Sequence, residues 1–338
     1  MSTTAALPTP AGVSGKEPDP QLHRIETIPG IGRALIVCTP IPLGTRILCE
    51  KPLFTTTSTS YKVMNADITK KLRALPVESQ RQFLSLHNNF TGTLYPFTGT
   101  FITNALPCGP DSDTAGVYAT ICLINHSCSP NAHTNWNNAL QKETLHATRP
   151  IVPGEQITIC YTQTWPSYDR RAYLKHQFGF DCACTLCQLP AVLLKRSDAR
   201  RSEIVSLDKL IGDANLLMSN PQEALAACHK LLIVVNEELW DGGSTPLLAR
   251  LYYDAVQITI THGDQARASV FAQRAYEARV VCDGEDSPET ERMKGFARDP
   301  SSHKNFGSSK KWKSKKAQVP KDLGDEEFEA WLWRVEKR

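Results

Sequence analysis

The chain has no run of about twenty apolar residues, so nothing in it is long enough to cross a bilayer as a helix. It has no dominant charge either. With 38 basic and 35 acidic residues the formal net charge is +3, too small to announce a polyanion-binding protein. The first residues, MSTTAALPTPAGVSGKEPDPQ, lack an early basic cluster and an apolar h-region, which argues against a secretory signal. The cysteine count, 11, is odd, which argues against a disulfide framework. A soluble intracellular protein with reduced thiols is therefore expected, in the nucleus, the cytoplasm or both. No basic stripe accompanies the cysteines, so a DNA-binding zinc module is disfavoured and no direct nucleic-acid contact is expected.

What is present reads as globular. Hydrophobic residues make up 41% of the 338 and charged residues 22%, enough for one large domain or two ordinary ones. Residues 1–21 are Pro/Ser/Thr-rich and read as a disordered leader. From His23 to Glu50, short β-rich runs (ALIV, TRILCE) alternate with PGIG, TPIP and LGT, the pattern of short strands and tight turns. Within an insert of about 55–115, Ile68, Leu72, Leu75, Phe83, Leu84 and Leu86 predict two short helices broken at Pro76, and 91–115 predict a loop. Strand-like text returns in GVYATICLI, ETLHATRPI and EQITICY.

Beyond about residue 200 the pattern is helical. Ile204, Leu207, Leu210, Ile211, Ala214, Leu217 and Met218 form one apolar stripe. Asn220-Pro221-Gln222-Glu223 predicts a cap, a first-turn proline and an acidic third position. Further helices are predicted over 246–262, ending at Gly263, and over 264–282. Paired helices joined by short turns suggest a TPR-like unit over 200–305. The fold class expected is α+β, a β-rich domain followed by an all-helical one.

Two cysteine-bearing stretches carry chemistry: CLINHSCSPN at 122–131 and FDCACTLC at 180–187. Cys182, Cys184 and Cys187 form C-x-C-x-x-C, three soft ligands where tetrahedral Zn²⁺ needs four. Cys128, on a turn-rich segment, is the best candidate for the fourth. Such an ion would contribute folding energy rather than chemistry, because sulfur fills every position. The competing reading is three surface thiols and one buried one. The other seven cysteines read as small core hydrophobes.

PGIGRAL at 29–35, NHSCSPN at 125–131, GEQITICY at 154–161 and FDCACTLC at 180–187 come in the order found in SET-domain protein lysine methyltransferases. The chain resembles the SMYD-type proteins and their fungal SET relatives over about residues 23–305, with a SET domain at 22–161 and a post-SET segment at 162–190. The insert, with Cys108 and His87 as its only soft ligands, cannot build the two-zinc MYND finger of that group.

The resemblance implies methyl transfer from S-adenosylmethionine to the ε-amine of a lysine in a protein substrate, such as a histone tail. It places Ile31, Gly32 and Arg33 at the cofactor, with Asn104, Asn125, His126 and Phe180. It makes Tyr161 the tyrosine of the lysine channel and Tyr118 a second aromatic wall, although a core strand aromatic explains Tyr118 equally well. It also implies that the NHSC and ICY segments lie together. A monomer is expected. The rival function is an interaction scaffold of weak catalytic power. KKWKSKK at 310–316, in the 306–338 tail, reads either as a nuclear-import signal or as a solvated charge run in a flexible linker.

Overall fold

The computed structural model describes residues 22–57, 59–238 and 243–335; the expected leader lies outside the described residues. The β-rich region opens with β1 (His23–Ile28) and β2 (Gly32–Val37), an antiparallel hairpin in which Ile28 pairs with Gly32. Then come β3 (Arg46–Glu50) and β4 (Phe54–Thr57). The insert supplies the two helices that Pro76 separates, α1 (Tyr61–Ala74) and α2 (Val77–Leu84). Met64, Ile68 and Leu72 recur every four residues and are the buried face of α1.

A third helix, α3 (Pro96–Asn104), stands where a loop was expected. Its threonines, poor helix formers, are accommodated because burial outweighs propensity. Phe101 stacks on Phe54 with ring centroids 6.0 Å apart, and Thr103 returns its hydroxyl to the Gly99 carbonyl at 2.8 Å. Short strands follow: β5 (Leu106–Pro107), β6 (Thr114–Val117), β7 (Asn125–His126), β8 (Ala132–Asn137), β9 (Lys142–Ala147) and β10 (Thr158–Ile159). They assort as β3-β9-β8, β4-β6-β5 and a parallel β10-β7 pair. Leu35, Ile47, Ile68, Phe83, Val117 and Leu145 are among the side chains filling the common core.

Helices make up the rest: α4 (Ser167–Phe178), α5 (Ala191–Ile211), α6 (Ala214–Ser219), α7 (Pro221–Glu238), α8 (Pro246–Thr261), α9 (Gln265–Asp283), α10 (Pro288–Arg298) and α11 (Asp325–Leu332). The expected stripe over 204–218 is split at Gly212-Asp213, where Asp213 caps α6 by accepting from the Asn215 amide. Asn220 and Glu223 exchange bonds at the start of α7, as the capping pattern predicts. Gly263, at φ +80°, takes the left-handed turn that ends α8. The tail is no flexible linker: Trp312, Leu332 and Trp333 are buried in the helical core with Leu231, Phe271 and Met293.

The C-terminal end of α9 packs against β8 and β9. Gly284, at φ +88°, lies so close to this seam that a Cβ there would come within 2.7 Å of the Arg46 Nη2 and 2.9 Å of the His146 Nε2. Arg46 donates to His146 Nε2 at 3.2 Å and pairs with Asp286.

Candidate active site and tetracysteine centre

The parallel pairing of β7 with β10 sets Thr158 beside Asn125 and Ile159 beside His126. Segments more than thirty residues apart in sequence thus meet edge to edge, as the resemblance implied for NHSC and ICY. The Ser127 amide donates to the Ile159 carbonyl at 3.0 Å and extends the pairing.

His126 sits at the junction. Its Nδ1 accepts from the Tyr161 amide at 3.0 Å, so its proton resides on Nε2, which faces the Cys128 sulfur at 3.2 Å. Burial pushes the imidazole pKa down to about 4. The Tyr161 hydroxyl donates to the Ile124 carbonyl. Burial, with Cys122 nearby, raises the Tyr161 pKa well above the ordinary phenol value, so the ring carries no charge.

Four rings gather here. Tyr161 lies 5.3 Å from His126 and 4.7 Å from Phe178, and Phe180 lies 6.1 Å from His126, centroid to centroid. Phe178 is the aromatic missed in the sequence. The signal was there, because FGF places a second ring two residues before Phe180 at the end of α4. Gly179 has φ +78°, which turns the chain sharply and lets both rings face the same cluster.

Asn125 donates from Nδ2 to the Arg33 carbonyl at 2.9 Å, tying the β1–β2 hairpin to β7. In that hairpin Gly30 and Gly32 have φ of +76° and +100°. A Cβ built on either meets no atom within 4 Å, so the backbone around Ile31 borders open space. Ile31 itself is 58% exposed. The Arg33 guanidinium donates to the Ser85 carbonyl at the end of α2 at 2.6 Å.

Two expected site residues stand elsewhere or are otherwise engaged. The Asn104 side-chain nitrogen is committed to the carbonyls of His87 and Thr100, both at 2.7 Å. Tyr118 is fully buried, and its hydroxyl faces Glu143 on β9 at 3.5 Å. That is the core-aromatic alternative, and it places the hydroxyl beside a carboxyl the sequence reading overlooked. Burial pushes the Glu143 pKa up to about 8 against the hydrogen bonds from Tyr118 and Thr134.

The four sulfurs of Cys128, Cys182, Cys184 and Cys187 lie within 4.8 Å of one another. Cys128 is 3.9 Å from Cys182 and 3.6 Å from Cys187. Tetrahedral zinc at about 2.3 Å from each thiolate requires sulfurs about 3.8 Å apart, so the donor set fits. Arg170, whose side chain is 0% exposed, points Nη2 at Cys187 from 4.0 Å. A buried guanidinium is well placed against the negative charge of four thiolates. Of the remaining cysteines, Cys228 and Cys282 are buried as expected, whereas Cys160 is exposed.

The SET domain family matches residues 32–162. The chain belongs to the SET-domain family of protein-lysine methyltransferases. It is 33% identical over 285 residues to histone-lysine N-methyltransferase set5 of Schizosaccharomyces pombe, covering 84% of this chain and 86% of that protein. Histone-lysine N-methyltransferase SET5 of Saccharomyces cerevisiae is 37% identical over 101 residues, 30% of this chain and 18% of that protein. Histone-lysine N-methyltransferase SMYD3 of Homo sapiens is 42% identical over 74 residues, 22% of this chain and 17% of that protein.

Proposed function

We propose that the protein transfers a methyl group from S-adenosylmethionine to a lysine side chain, with histone tails as the substrate class. The observation that carries this reading is the β7–β10 pairing, which brings Asn125, His126 and Tyr161 together beside a four-thiolate cluster and two phenylalanines. The histone assignment is supported by the relatives described above, which are histone-lysine N-methyltransferases.

When bound, S-adenosylmethionine supplies an electrophilic methyl on a sulfonium sulfur. The open backbone at Ile31, Gly32 and Arg33, the Asn125 and His126 backbone and the face of Phe180 would hold it, with Asn104 contributing through its side-chain carbonyl oxygen. Tyr161 donates its hydroxyl hydrogen bond to the Ile124 carbonyl, so its oxygen lone pairs are left to face partial positive charge as the methyl transfers. The apolar rings of Tyr161 and Phe178 disfavour an ammonium group and so favour the neutral amine, whose ordinary pKa near 10.4 would otherwise keep it protonated. Zn²⁺ held by Cys128, Cys182, Cys184 and Cys187 would fix Phe180 over the site and stabilise the fold.

We further propose division into a SET domain (22–161), a post-SET segment (162–190) and a TPR-like helical unit from about 200 that includes the tail. The protein would act as a monomer on nuclear histones. Incubation with methyl-tritiated cofactor, core histones and lysine-to-arginine tail variants tests this. Label on histone, lost when one lysine is replaced and when Asn125→Ala is used, is the expected result. Cofactor binding without any transfer would favour the scaffold reading.

A further inference from the structure

The run KKWKSKK is not the flexible linker that one reading of it expected. Its one apolar side chain, Trp312, is 9% exposed and packs in the helical core. The Trp312 amide donates to the His262 carbonyl at 3.0 Å and the Ser314 amide to the Gly263 carbonyl at 3.0 Å. Ser314 also gives its hydroxyl to the buried Asp264 at 2.6 Å and accepts from the Ala266 amide at 3.1 Å. The Arg334 guanidinium stacks on Trp312 at 4.3 Å. The segment is therefore clamped along the turn between α8 and α9. An import receptor that reads an extended peptide would have to strip these bonds and expose the indole.

What remains outside is cationic. Between residues 304 and 321 stand seven lysines, Lys304, Lys310, Lys311, Lys313, Lys315, Lys316 and Lys321, and no acid. All seven are exposed. Lysines elsewhere pair with carboxylates, namely Lys71, Lys175, Lys230 and Lys294; among the described residues, none of these seven does. Among the described residues, the one partner of an ammonium in the run is neutral, the Arg298 carbonyl, which accepts from Lys316 at 2.7 Å. A nearly neutral chain thus concentrates exposed positive charge in one short segment held to the helical core.

That face is remote from the catalytic centre. It sits at the N-terminal start of α9, whose far end meets the β8–β9 sheet, and nineteen helical residues span roughly 28 Å. We propose that this Trp312-anchored lysine face is a docking site for the phosphate backbone of duplex nucleic acid. Lysine is depleted from the cores of protein–protein interfaces but serves as a point charge on phosphates. Trp312 is buried, and Phe306, 40% exposed, is the single ring the span from 304 to 321 offers to a base, too few for a platform on which successive bases stack. The expectation of no nucleic-acid contact rested on the small net charge of the whole chain and on the surroundings of the cysteines, and neither describes the local charge of this surface. The inference does not depend on the assignment of the methyl-transfer substrate.

The test is fluorescence anisotropy of a labelled 20-base-pair duplex of arbitrary sequence with the full chain, from 50 to 200 mM NaCl. Binding should weaken steeply with salt. The variant K311Q/K313Q/K315Q should bind at least tenfold more weakly at 50 mM, and its logarithmic salt slope should be shallower by about 2.7, at roughly 0.9 per neutralised phosphate. The far-UV circular dichroism and melting temperature of the variant should match those of the parent, which shows that the fold survives. Duplex binding unaffected by the three substitutions, no duplex binding at 50 mM NaCl, or tighter binding to polyglutamate than to duplex of equal charge would each overturn the proposal.

Discussion

Arg201, on α5, donates through Nη2 to the backbone carbonyl of Cys128 at 3.2 Å while its Nε is held by Glu238 of α7 at 2.6 Å. The helical region thus grips the very loop that supplies one of the four thiolates. Glu238 also accepts from Arg200 at 2.8 Å and from Ser197, so the grip is a network rather than a single bond.

Replacing Arg201 with Met leaves the Cys128 carbonyl without this donor and strips one of two cations from a buried carboxylate. A loss of about 2–4 kcal/mol is expected, since breaking a buried pair costs more than forming it contributes. Urea unfolding measures the loss, and release of metal to a colorimetric chelator should be faster than in the parent. A variant with both quantities unchanged would show that the network is incidental to the centre.

Cys184→Ser removes one donor from a centre with no spare ligand. Metal retention should weaken at least 100-fold, or about 2.7 kcal/mol. The purified protein should carry less than one zinc per chain by atomic emission and melt at a lower temperature. Chelation of the parent should lower its melting temperature towards that of the variant; a melting point indifferent to chelator would rule out a stabilising ion.

Tyr161→Phe keeps the ring that packs on Phe178 and His126 but deletes the hydroxyl proposed to face the transferring methyl. On the proposed mechanism kcat should fall roughly 10²-fold, the scale for losing one preorganised dipole. Cofactor affinity, set by other residues, should shift by less than threefold in calorimetry. Equal turnover by the two proteins would remove this tyrosine from the chemistry.

Glu143 predicts a pH signature. Its pKa lies near 8 in the fold, against about 4.5 in the unfolded chain. Between those values the folded state holds the extra proton, so stability should decline as pH rises from 4.5 to 8. Glu143→Gln abolishes that slope and should be the more stable protein at pH 8.5, by an amount on the order of 3–5 kcal/mol. His146 works in the opposite sense. Burial, with the Arg46 charge, pushes its pKa down to about 3, so its contribution is lost as pH falls from 6.5 towards 3. Chemical denaturation across pH 4–9 separates the two, and a Gln variant that tracks the parent at every pH would contradict the assignment.

Much of the site was legible in the text because its parts are local and chemically distinctive. NHSC, C-x-C-x-x-C and the Gly-rich hairpin each carry their own residue types, and helix punctuation at Pro76, Asn220 and Gly263 fell where the chain does turn. What the text hid depends on distant neighbours. The helix over 96–104 is held by Phe54 and by threonine hydroxyls, neither visible in a window rich in Gly and Thr. The engagement of Tyr118 with Glu143 required knowing that β9 runs behind it. The lysine run looked like a solvated tract because nothing local reveals that its tryptophan is swallowed by helices more than forty residues upstream.

At Gly284 the backbone takes φ +88° and passes so close to the Arg46–His146 pair that a side chain there would be strained and would force those two to move. The spacing of the two halves of the molecule is therefore set by an omission, a side chain that is not there. Such a joint leaves little room for sliding, and diversity in what the enzyme grasps is left to the insert and to the outer helices.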